Sequence, residues 1–179
     1  MTHPEGKCGP RRGPTALVLT VAFAIAVTGC SSAEDQATEG SAVGDAFAER
    51  ALSVCAEAQE SKDAWDAFPV SDFDPRQPDV SDLPEVGAWL HDEVGPTFDA
   101  WRDDLTALGK PPTGRKAWTD VLTAVGKIAH LNALQVDAAT SGDTDAFAEA
   151  TNGLQQMQSE LERATAAAGV AKCAEVHAD

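Results

Sequence analysis

TGRKAWTDVLTAVGKIAHLNALQVDAATSG, residues 113–142, decides the fold class. Trp118, Val121, Leu122, Val125, Ile128, Ala129, Val136 and Ala139 fall on one side of a cylinder when each residue turns about 100°. The spacing predicts a helix over roughly Gly114 to Thr140, with Thr113 as the candidate cap. Asn132 falls in the middle of this stripe, where a hydrophobe is expected. A buried amide needs partners, which a structural hydrogen bond, a water or a ligand would supply. Ser141-Gly142-Asp143 then combines a helix-ending glycine with a new N-cap.

Downstream, Phe147, Leu154, Met157, Leu161 and Ala164 predict a helix over about Thr144 to Ala168. Gly169 suits a left-handed stop, with Val170 folding back as its hydrophobic contact. Upstream, Leu83, Val86, Leu90, Val94, Phe98, Trp101, Leu105 and Leu108 hold helical phase across Gly95-Pro96. Unbroken phase predicts one helix with a kink at the proline, capped by Asp82 with Glu85 reaching back. Trp89 lies off the centre of that stripe, so it packs a flank or faces a partner. Further back, Phe47, Ala51, Val54, Cys55, Ala58, Trp65 and Phe68 predict a helix from about Asp45 to Phe68, stopped by Pro69. Between these two helices, PVSDFDPRQPDVS (69–81) reads as a solvated acidic loop. Its Asp72, Asp74 and Asp79 suggest calcium. A calcium-binding EF-hand loop, however, needs Gly at position six and Glu at position twelve. Counted from Asp72, those positions hold Gln77 and Leu83.

No segment alternates apolar and polar residues over a strand's length, and Tyr is absent. Four amphipathic helices with mostly short joints predict an all-α fold, a four-helix up-down bundle spanning 45–179. Of the four cysteines, Cys8 and Cys30 belong to the N-terminal region, leaving Cys55 and Cys173. An even pair in an exported domain reads as a disulfide, with a free thiol pair or a metal site as the alternatives. The bridge requires either a tail running along the first helix or a first helix whose middle lies near the end of the fourth.

The N-terminus supplies the export signal. Lys7, Arg11 and Arg12 precede an apolar run from Ala16 to Val27, and Val27-Thr28-Gly29-Cys30 closes it. This is the layout of a signal peptide over 1–29; about a dozen apolar residues is too short for the roughly 20 of a spanning helix. Val-Thr-Gly-Cys resembles the bacterial lipobox, in which cleavage leaves a lipidated cysteine. Cys30 is therefore the expected lipidation site, carrying diacylglyceryl and acyl chains such as palmitate. Residues 30–44, small, polar and acidic, read as a flexible tether. The expected location is the cell membrane, lipid-anchored on the extracytoplasmic side.

The chain has a formal charge of −16, and residues 1–29 hold three of its 13 basic residues and one of its 29 acidic ones. The remainder has 10 basic residues against 28 acidic, a formal charge of −18. Such a surface opposes nucleic acid, whose phosphates require Lys and Arg, and favours cationic ligands or basic surfaces of envelope proteins. Histidines outside the leader are few. His130 lies about 160° from the centre of its helix's stripe. His91 is on a flank beside Asp92 and Glu93, and His177 belongs to the frayed end. Adjacent helical residues point apart, so His91-Asp92-Glu93 cannot chelate as a unit. No Glu-x-x-His pair, Cys-x-x-Cys-His, Gly-x-Ser-x-Gly or glycine-rich phosphate loop occurs. No catalytic residue, metal ligand or cofactor is expected.

The lipobox, the acidic tether, Val54-Cys-Ala-Glu-Ala58 and Leu105-Thr-Ala-Leu-Gly-Lys-Pro-Pro112 resemble small actinobacterial lipoproteins and secreted proteins. Ala138-Ala-Thr-Ser-Gly-Asp143 and Ala168-Gly-Val-Ala-Lys-Cys173 continue the resemblance over most of the chain. It implies a helical bundle with one disulfide, mostly of unassigned activity, and brings no catalytic residues to transfer. The expected function is non-catalytic binding, with Trp89 as the candidate partner contact. The rival is a metal- or haem-binding redox or enzymatic bundle.

Overall fold

Apolar residues recurring in steps of three and four build five α-helices in the computed structural model, which describes residues 42–178. They are α1 (Asp45–Asp63), α2 (Leu83–Trp89), α3 (Gly95–Ala107), α4 (Arg115–Ser141) and α5 (Thr144–Ala168). A π turn, Leu90–Val94, joins α2 to α3, and a 3-10 helix, Ala171–Val176, follows α5. No strand occurs among the described residues. The expected signal peptide, Cys30 and most of the tether lie outside them. The tether's last residues are packed rather than free: Val43 is buried, and its N–H donates to the Ala168 carbonyl at 3.1 Å.

α4 is the central helix, packing against α2, α3 and α5. Its Trp118, Val121, Val125 and Ile128 are buried, as the stripe requires, and His130 is exposed. Leu83, Val86, Trp101, Leu105 and Leu161 complete the core, each contributing about 1.5–3 kcal/mol through burial. The stops between α4, α5 and the tail follow the sequence reading. Gly142 and Gly169 take φ of 71° and 78°; Asp143 N–H and Val170 N–H return to Ala138 O and Thr165 O, and Asp143 Oδ1 caps Ala146 N–H at 3.0 Å.

Three expectations fail locally. The single kinked helix over 82–108 is α2, the π turn and α3, so five α-helices stand where four were expected. Gly95 N–H bonds Leu90 O, five residues back, and Pro96 follows. In regular α geometry the proline ring would meet the carbonyl four residues before it, and the wide turn removes that clash. α1 ends at Asp63, not Phe68. The chain turns there because Trp65 reaches across to α3, its indole N–H donating to Thr97 Oγ1 at 2.9 Å. Neither Asp82 nor Thr113 caps a helix with its side chain. Asp79 orders the first of these turns instead, accepting from Ser81 N–H and Oγ at 2.9 and 2.8 Å. These two donors hold its carboxyl below the ordinary 3.8.

Cys55 and Cys173 are bonded, their Cα atoms 5.1 Å apart. The tail after Gly169 folds back along α5 and beside α1. Val170, Cys173 and Val176 are buried, His177 Nε2 meets Leu154 O at 3.0 Å, and Lys62 Nζ donates to Ala178 O. Of the two arrangements that the bridge allows, the chain uses the tail along the first helix.

Candidate functional site

Where α1 ends, the acidic loop crosses and the tail returns, the helices leave a cleft of about 790 Å³. Trp65, Trp89, Leu90, Val94 and Phe98 form its apolar wall. This wall exists because α1 stops early and the π turn widens the opposite helix. Trp89 N–H donates to Asp66 O at 3.0 Å, fixing the loop to α2. The rings meet edge to face, Trp65 to Trp89 at 5.6 Å and Phe68 to Trp89 at 5.1 Å, with Trp65 tilted on Phe98 at 6.1 Å. Trp89 thus packs a flank of its helix and faces a cavity at the same time.

The other side is polar and comes from α4, α5 and the tail. Gln135, 7% exposed, donates from Nε2 to Thr151 Oγ1 at 2.8 Å, and Thr151 Oγ1 donates to Phe147 O at 3.0 Å. Gln158 donates from Nε2 to Glu162 at 2.9 Å, while its Oε1 is buried with no partner among the described residues. Gln155 Oε1 accepts from Arg76 Nη2 at 2.7 Å at the cleft's edge. His177, expected at a frayed end, forms part of the lining instead. Its Nε2 donates a hydrogen bond to Leu154 O at 3.0 Å, and its ring lies edge-on to Phe98 at 6.0 Å. Lys62 and Ala178 close the remaining side.

The electrostatics of this lining oppose those of the whole chain. Among the described residues two cations, Lys62 and Arg76, line the cleft, and no Asp or Glu does. Both are held by neutral oxygens, those of Ala178 and Gln155. Arg102, Lys116 and Lys127 are instead paired with carboxylates on the surface.

Of the residues weighed in the sequence for chemistry or partner contact, Trp89 and His177 line this cleft; Trp65, Leu90, Val94, Phe98 and Leu154, which also line it, were read there as apolar stripe. Cys55 and Cys173 lie in the core, where Trp101 N–H donates to Cys55 Sγ at 3.5 Å. Asn132 is buried elsewhere in the core, its Nδ2 without a hydrogen-bond partner among the described residues. His91 is exposed beside Asp92. Among the described residues no three His, Cys, Asp or Glu side chains gather as a metal-ligand set, and no helix is long and apolar enough to cross a membrane. Gln135 was legible in principle, three residues after Asn132 on the same stripe. Lys62 and Arg76 were not, because only the tertiary fold brings an α1 end and a loop together. No family model matches the chain, and no curated protein or solved structure matches it either.

Proposed function

We propose that this chain is an exported lipoprotein, cleaved before Cys30 and anchored there on the extracytoplasmic side of the membrane, that works by non-catalytic binding. Its helices form an up-down bundle whose second member is split by the π turn. The observation that carries the binding reading is the cleft. Its volume of about 790 Å³ falls within the roughly 300–1,000 Å³ of small-molecule sites. It joins an aromatic wall to a few fixed polar groups, the usual composition of such sites. The lipid and tether keep the domain at the membrane, and the acidic exterior, unlike the cleft, favours basic partner surfaces.

Two measurements test this. Cys30→Ser should move the protein from the membrane to the soluble fraction; unmodified Cys30 on membrane-bound wild type would overturn the anchor. Gln155→Trp places a large ring into the cleft from an exposed position on α5. Native mass spectrometry of protein taken from cell envelopes should then show a small molecule on wild type and none on this variant. A molecule that leaves the protein chemically altered would move the reading to catalysis.

A further inference from the structure

We infer that the cleft takes an anionic, ring-bearing amphiphile, a carboxylate or similar head on a flat apolar body; this rests on the cleft being the binding site. The head is assigned by charge. Lys62 and Arg76 bring two positive charges to one cavity, and the described lining brings no negative one. Each side chain donates to a neutral oxygen, and the carboxylate bonded to Arg76, that of Asp74, takes its backbone N–H at 2.9 Å rather than its guanidinium, so side-chain donors remain for a ligand. An anion there gains charge-assisted hydrogen bonds, which are stronger than those to a neutral head.

The negative exterior does not reverse this preference. Charges more than a Debye length away, about 8 Å at physiological salt, are largely screened, whereas contact pairs are not. Exterior repulsion therefore slows the encounter without removing the local attraction. A cation could take the indole faces, but it would meet Lys62 and Arg76 in the same cavity. The body is assigned by shape and surface: Trp65, Trp89 and Phe98 present ring edges and faces, against which another ring packs in offset or edge-to-face geometry.

The test uses the full chain carrying Cys30→Ser, so that no lipid or detergent competes. Three probes share one naphthalene body: the carboxylate, the primary alcohol and the methylammonium. Calorimetry gives affinities, and the indole N–H signals of Trp65 and Trp89 report whether binding occurs in the cleft. The carboxylate should bind about tenfold tighter than the alcohol, the size of one charge-assisted hydrogen bond, with the ammonium weakest. Lys62→Gln with Arg76→Gln should bring all three within about threefold, a residual difference below half a charge-assisted bond. Lys127→Gln, at a surface pair with Glu160, should leave the ranking unchanged. If the alcohol or ammonium shifts both indoles and binds as tightly as the carboxylate, the anionic class is overturned and the binding cleft stands. If no probe moves either indole, the cleft reading itself is overturned. The wild-type ranking decides the matter even if the double variant proves unstable.

Discussion

Cys55 shows how one residue is fixed from several directions. It lies mid-way along α1 with its sulfur bonded to Cys173, and Trp101 donates its indole N–H to that sulfur from α3. The bridge spans 118 residues of sequence, so it removes much of the unfolded chain's freedom. Cys55→Ala and Cys173→Ala should each lower stability by about 2–4 kcal/mol in denaturant unfolding. The double variant should lose little more than the worse single one, because both delete the same link. Additive losses would show that the two sulfurs act separately. Asp79 carries a smaller effect with a definite sign. Its carboxyl is held below 3.8 by Ser81, so its contribution is present above the unfolded pKa and is lost as pH falls through the folded one.

At the scale of elements, α2 and α4 approach so closely that a side chain on Gly87 would collide. A Cβ there would come within 2.8 Å of Ala139 Cβ. Gly87→Ala should therefore cost about 1–3 kcal/mol despite alanine's better helix propensity. Gly126 in α4 has open space at the same test, so Gly126→Ala should stabilise by about 0.5–1 kcal/mol. Thermal unfolding of the pair checks both; a stabilised Gly87→Ala would mean that the helices can separate without loss. The same helices show what the sequence could tell. Their stripes, the Gly142-Asp143 joint and the Gly169 stop were all legible, because each depends on neighbours within one or two turns. The π turn had a signal that phase alone concealed. Val86, Leu90, Val94 and Phe98 advance by four residues three times running. On a regular α-helix each such step drifts by about 40°, so the stripe stays straight only if the turn is wider there. The early end of α1 had no local signal, because the partner that redirects Trp65 is Thr97, on another helix. The candidate site inherits this limit: its aromatic wall was half visible in Trp89, whereas its cations meet only through the tail and the loop.

For the whole molecule, the tail is what joins the two ends. Val43 bonds the end of α5, α1 begins there, and the 3-10 helix packs on both α1 and α5. Cutting the chain after Val170 would remove the buried side chains of Cys173, Ala174 and Val176 along with the bridge. It would also uncover Ala51, which is fully buried and whose carbonyl oxygen lies 3.8 Å from Cys173 Sγ. Burial of one large apolar side chain is worth about 1.5–3 kcal/mol and the bridge about 2–4. A domain's whole net stability is about 5–15 kcal/mol, so this loss is comparable to the margin itself. The truncated chain should therefore be far less stable than Cys173→Ala, which removes only the link. It should show a broadened or absent thermal transition by circular dichroism and rapid proteolysis within α1. It should also lose any ligand of the cleft, because His177 and Ala178 line it. A truncated chain that unfolds at the same temperature as Cys173→Ala would reduce the tail to a carrier for one cysteine. The fold would then be held by α1 to α5 alone.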